Sequence, residues 1–232
     1  MVRHRGVAVA ECRAIKGGEQ RTMRFLDRHD AGRQLAERLE RYLDTDAIVL
    51  ALPRGGVPVG YEVARTLAAP LDVLVARKLG APGQPELGIG AIAPGGILVM
   101  SSQAPRVPGV TPEYVEDVTR RETIEMQRRM RLYRSNRPAV NLQGRAVILV
   151  DDGLATGVTA LAAVRSVRQQ GAHCVVFAAP VCASQAIHTL VPELDHVVYV
   201  HAPDDMRAIG LWYDNFRQTT DEEVQRLLGL DG

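Results

Sequence analysis

Lysine is almost missing from this 232-residue chain: Lys16 and Lys78 stand alone among 28 basic residues, and the rest are arginine. Aromatic residues make up only 4%, and there are three cysteines. Cys12, Cys174 and Cys182 form no C-x-x-C pair and have no histidines at metal-ligand spacing, so they read as small buried residues. The six histidines show no pairing that suggests a triad or a metal site. No apolar run approaches the ~18 residues a membrane helix needs. The only apolar stretch near the start, residues 6–10, is shorter than the ~7–15 residues of a signal-peptide core. Excess charge is lacking too: a formal net charge of +1 removes the electrostatic footprint of a general nucleic-acid binder. These absences predict a cytoplasmic protein without a membrane or nucleic-acid partner. There are no internal repeats.

The sequence does have enough apolar material for one full core, 46% hydrophobic against 24% charged. Residues 1–22 lack sustained periodicity and read as a loose extension, with Met23 a natural start for a single domain over 23–232. Leu35, Leu39 and Leu43 fall at helical spacing, with Asp30 able to cap. Short apolar runs at 47–52, 72–76, 145–150, 174–179 and 196–200 read as buried strands. Helical stretches at 56–67, 157–169 and 184–190 alternate with them, which predicts an α/β fold with a doubly wound, mainly parallel sheet. In such a sheet ligands sit at the carboxyl ends of the strands. Residues 79–110 are rich in glycine and proline and read as a long mobile loop or loose hairpin. Thr111-Pro112 then opens a long helix whose arginines, interleaved with Glu122 and Glu125, form a solvated face. A polar segment holding Trp212, Tyr213 and Phe216 precedes a short helix at 221–228.

Residues 147–159, VILVDDGLATGVT, carry the strongest chemical signal. An apolar strand ends in Asp151 and Asp152, and a short loop of small and hydroxyl residues opens a helix. Backbone N–H groups at a helix N-terminus hold an anion, Gly157 permits close approach, and Thr156 and Thr159 add hydroxyl donors. Two carboxylates beside that site would repel a phosphate. They make sense facing hydroxyl groups or a divalent cation, which together describe a sugar phosphate. A second strand, turn and helix occurs at 52–58, LPRGGVP, where amides exposed by Gly55 and Gly56 suit a diphosphate with Arg54 near by. A tight turn into a helix accounts for those two glycines equally well.

The 147–159 segment resembles the phosphoribosyl pyrophosphate (PRPP) motif of type I phosphoribosyltransferases, and Pro85–Ala91 is similar to a stretch in a subfamily of predicted phosphoribosyltransferases. Gly153 departs from the pattern, since many members place an apolar residue there. The resemblance implies that Asp151 and Asp152 hold the ribose hydroxyls and bind Mg²⁺. It implies that Ala155, Thr156, Gly157, Val158 and Thr159 cradle the 5′-phosphate. Arg54, Gly55 and Gly56 would take the pyrophosphate, in a turn that often holds a non-proline cis peptide. Lys78 would reach the same group from the foot of a loop that closes over the site. A small C-terminal hood would cover the acceptor, with Trp212 and Tyr213 against the base, although a packing cluster explains these aromatics as well.

The implied activity is transfer of the 5-phosphoribosyl group from PRPP to a nitrogenous base, with release of pyrophosphate. Asp152 is the nearest candidate for a general base, and a homodimer is implied. The rival class is a non-catalytic PRPP- or nucleotide-sensing regulator on the same fold.

Overall fold

The structure, a computed structural model, describes residues 24–135 and 137–230. The proposed extension over residues 1–22 lies outside the described residues. In chain order the elements are α1 (Arg28–Glu37), β1 (Ile48–Ala51), α2 (Gly56–Leu67), β2 (Leu71–Val73), β3 (Arg77–Ala81), β4 (Gln84–Ala93) and β5 (Ile97–Met100). They continue with α3 (Pro112–Arg134), β6 (Ala146–Val150), α4 (Val158–Gln169), β7 (Cys174–Val181), α5 (Ser184–Leu190), β8 (His196–His201) and α6 (Asp221–Leu227).

Five strands form a parallel sheet in the order β2-β1-β6-β7-β8. Their short apolar runs are buried on both faces, as expected of a sheet covered by helices on each side. One face packs Val49, Ile148 and Val176 against α1 and α2. The other packs Ile48, Leu149 and Phe177 against α4. From β1 the chain winds outward to β2, and from β6 it winds the opposite way to β7 and β8. The winding therefore reverses between β1 and β6, the place where open α/β sheets leave a ligand crevice. The two strands end level, with Ala51 opposite Val150 and the Leu52 N–H donating to the Val150 carbonyl at 2.8 Å.

The segment expected as a long mobile loop or loose hairpin is an ordered antiparallel sheet, β3-β4-β5, through Met100. Ile89, Ala91, Ile92 and Val99 are buried in it. Two of its glycines serve close cross-strand approach. A Cβ on Gly90 would lie 2.6 Å from the Val99 carbonyl oxygen, and one on Gly80 2.7 Å from the Pro85 backbone. Glycine and proline density thus hid a pleated pair whose register shifts around Gly80.

Three boundaries also moved. Asp27 caps α1, accepting from the Asp30 N–H at 2.8 Å, while Asp30 reaches back to the Leu26 N–H at 3.1 Å. The helix stops at Glu37 and a 3₁₀ turn carries Glu40–Tyr42. Arg77 and Lys78 begin β3, so Lys78, expected at the foot of a closing loop, lies at the start of a strand. Among the described residues no helix is long and apolar enough to cross a membrane.

Helices α1 and α2 meet across Gly32. A Cβ there would lie 2.9 Å from the Val59 carbonyl oxygen and 2.9 Å from the Glu62 Cβ. Gly32→Val is expected to destabilise the fold by about 1–3 kcal/mol through overpacking, read as a lower midpoint in urea unfolding.

Candidate active site

Two turns face each other across the crevice between β1 and β6. The first leaves β1 at Leu52, passes a cis peptide between Pro53 and Arg54, and enters α2 at Gly56. The second leaves β6 at Asp151 and enters α4 after Gly157. They are in van der Waals contact because residues 55 and 56 are glycine. A Cβ on Gly55 would fall 2.0 Å from Asp152 Oδ2, and one on Gly56 2.6 Å from the Val150 carbonyl oxygen and 3.3 Å from Asp151 Oδ1. The two glycines make room for the carboxylates.

The acid pair is held from several sides. Asp151 Oδ1 accepts from the Asp152 N–H at 2.8 Å. Asp152 Oδ2 accepts from Arg28 Nε at 2.8 Å and stands in an ion pair 2.8 Å from Nη2. The Tyr213 hydroxyl donates to the Asp152 carbonyl at 2.6 Å. Burial, then the charge of Asp152, pushes Asp151 well above the ordinary carboxylate range. Burial raises Asp152 as well, and the Arg28 guanidinium opposes that rise. The apolar group absent at Gly153 is supplied by Ile209, whose side chain occupies the space where a Cβ on residue 153 would stand.

Both turns end in helix N-termini whose N–H groups receive no side-chain cap, whereas Asp27, Thr111 and Thr220 cap α1, α3 and α6. Helix α5, beside β7, is uncapped too. An uncapped N-terminus leaves donors and the positive end of the helix dipole for an anion. In the second turn Gly157 adopts φ +80°, a conformation that favours glycine. Ala155 and Thr156 are exposed, and Val158 and Thr159 are half-buried at the first helical turn.

Arg54, Gly55, Gly56, Asp151 and Asp152 therefore lie in one place, with residues 155–159 on the adjoining turn. Arg54 Nη1 stands 3.5 Å from Asp221 of α6, and Asp221 also accepts from the Tyr133 hydroxyl. Lys78 lies along its own hairpin, donating to the Glu86 carbonyl at 3.0 Å and standing 3.3 Å from its carboxylate. Tyr213 is buried between Phe25 and Phe216, and Trp212 is half-buried and stacked on His201 at 5.4 Å.

Arg28, Phe25, Ile209, Phe216 and Asp221 border the site without having been singled out as site residues. Only the aromatic cluster left a trace in the sequence. Arg28 looked like one arginine among many, and its contact with Asp152 spans 124 positions.

Asp151 and Asp152 offer hard carboxylate oxygens of the kind Mg²⁺ takes. Among the described residues no group of three or more such side chains could hold a metal ion. Two carboxylates alone leave most of the oxygen positions around such a cation to other ligands.

A model of the phosphoribosyl transferase domain matches residues 25–210. Two Mycobacterium tuberculosis proteins, from strains CDC 1551 / Oshkosh and ATCC 25618 / H37Rv, carry the provisional name phosphoribosyl transferase. Each is 46% identical over 204 residues, which is 88% of this chain and 46% of the relative. The chain spans about half the length of these curated relatives. The crystal structure of TT1426 from Thermus thermophilus is 42% identical, with a TM-score of 0.74 over 90% of this chain and 99% of that one. The AQ2163 protein of Aquifex aeolicus, 9% identical with a TM-score of 0.51 over 88% of this chain and 86% of its own, shares the fold alone. A family match that runs from Phe25, at the foot of α1, through both turns of the crevice to Gly210 settles the kinship: this chain belongs to the phosphoribosyl transferase domain family.

Proposed function

We propose that the protein transfers the 5-phosphoribosyl group from PRPP to a nitrogenous base and releases pyrophosphate, with Mg²⁺ as its cation. The observation that supports this most is the pairing of two uncapped helix N-termini on adjoining strand ends, with a carboxylate pair between them. PRPP carries an anion at each end and a vicinal diol in the middle, so its charges and hydroxyls match that arrangement.

In this reading Thr156, Gly157, Val158 and Thr159 bind the 5′-phosphate through amides and hydroxyls at the start of α4. Asp151 and Asp152 accept hydrogen bonds from the ribose hydroxyls. The Gly55 amide and the Arg54 guanidinium bind the diphosphate, while Gly56, whose N–H is held by the Leu52 carbonyl, gives the turn its close approach to Asp151. Bound Mg²⁺ would neutralise charge growing on the departing pyrophosphate. As the bond from C1 to the diphosphate oxygen lengthens, positive charge spreads over C1 and the ring oxygen, and the carboxylates stabilise it. A ring nitrogen then bonds to C1 from the opposite face, and the pyrophosphate keeps the electron pair. The protein's share is positioning and electrostatics. Lys78 reaches the diphosphate by leaving Glu86. Both side chains are well exposed, and exposed ion pairs contribute only about 0–1 kcal/mol, so the exchange costs little.

A screen for pyrophosphate release with PRPP, Mg²⁺ and purine, pyrimidine and pyridine acceptors tests the reading, alongside calorimetric titration with PRPP. Tight PRPP binding with no release for any acceptor favours the sensor. Absence of PRPP binding overturns both. The double variant Asp151→Asn/Asp152→Asn is expected to abolish pyrophosphate release while circular dichroism shows an intact fold. Gly55→Ala is expected to cut kcat/KM for PRPP by about 100-fold, since roughly 1 Å of displacement at a reacting centre can cost that much; unchanged kinetics would mean that the two turns need not touch.

A further inference from the structure

Arg28 is the first residue of α1, and its place is fixed before it touches the site. Phe25, 1% exposed, pairs with Tyr213 through a parallel bridge and packs against its ring. Asp27 caps the helix. From there the Arg28 side chain, only 11% exposed, meets three separate parts of the chain. Nε donates to Asp152 Oδ2 at 2.8 Å, Nη2 forms an ion pair with the same oxygen at 2.8 Å, and Nη1 donates to the Arg217 carbonyl at 2.8 Å. One face of the guanidinium lies 3.9 Å from the centroid of the Phe216 ring. Its Nε would stand 3.2 Å from a Cβ on Gly55, so the arginine also walls the turn after β1.

Each N–H of this guanidinium has a direction, and the ring of Phe216 fixes its plane. A planar guanidinium held on three sides fixes where Asp152 Oδ2 sits, and the ties of the Asp152 backbone to Asp151 and Tyr213 complete the setting of the carboxylate. An ammonium in the same place would supply the charge without that orientation. We infer that Arg28 is a positioning residue for the acid pair, holding the Asp152 carboxylate in the one orientation that receives a ribose hydroxyl.

The inference rests on the reading of the site as a PRPP site, and it adds a division of labour. Asp152 is oriented from outside the crevice by α1 and the 216–217 segment, while Asp151 accepts from its neighbour's amide. Partners that orient a ligating carboxylate typically matter by about 10–100-fold when lost.

The test measures PRPP affinity by calorimetry, and KM and kcat separately, for wild type, Arg28→Ala, Arg28→Lys, Asp152→Asn and the double variant Arg28→Ala/Asp152→Asn. Arg28→Ala is expected to weaken PRPP binding by about 10-fold or more, chiefly in KM. A lost structural contact would instead lower the folded fraction, and with it kcat, at constant KM. Arg28→Lys is expected to fail to rescue, and the double variant to bind no more weakly than Asp152→Asn, because the two residues act as one unit. Should Arg28→Ala unfold, Phe216→Leu removes the stacked ring from a surface position and is expected to raise KM about 2–5-fold by the same route. If wild type binds PRPP while Arg28→Lys matches wild type, or the two losses simply add, this inference fails and the proposed function stands. If wild type binds no PRPP, the proposed function fails and this inference with it.

Discussion

Everything near the crevice depends on the contact between two strand-end turns. The Asp152 carboxylate stands in the space that a side chain on residue 55 would fill. That contact forces glycine into one turn and brings two helix N-termini to neighbouring positions. It also takes carboxylates out of water. Desolvation is expensive for an anion and raises both acids, and the Arg28 guanidinium opposes that rise, by direct contact at Asp152. The site is thus a place where local packing is dictated by charge.

The helices outside the crevice show the same division from the other side. Asp27, Thr111 and Thr220 satisfy the first N–H groups of α1, α3 and α6 with their own side chains. Those helices need no ligand. At α2 and α4 no side chain caps the first turn, the Gly56 N–H of α2 turns back to the Leu52 carbonyl, and glycine stands at the cap position of each. Glycine at the cap position sets α2 and α4 apart both from the capped helices and from the uncapped α5, which has Ala183 there.

Much of this was legible in the sequence because it is local. The apolar runs that became β1, β6, β7 and β8 announce buried parallel strands without any tertiary information. The motif at 147–159 keeps strand, acid pair, loop and helix within a few residues of one another. The hairpin was partly hidden: glycines at 80 and 90 look like flexibility in one dimension and act as close-approach points once two strands are paired. Arg28 and Asp221 were hidden entirely. Their partners, Asp152 and Arg54, lie 124 and 167 positions away, and an arginine-rich composition gives no reason to single one out. The cluster of Tyr213 and Phe216 was visible, but its ties to Asp152 and Arg28 belong to three-dimensional structure alone.

The pairing of Phe25 with Tyr213 has a consequence for how the molecule comes into being. The motif at 147–159 is complete as a stretch of chain long before residues 213–221 exist on a growing polypeptide. Until they are made, Arg28 has no Arg217 carbonyl to grip, Asp152 has no tyrosine against its backbone, and Arg54 has no Asp221. Contacts of such long separation form late, after the loop between them has been closed. A nascent chain would therefore carry a finished sheet and an unfinished crevice, whose last contacts arrive only with the synthesis of residues 213–221.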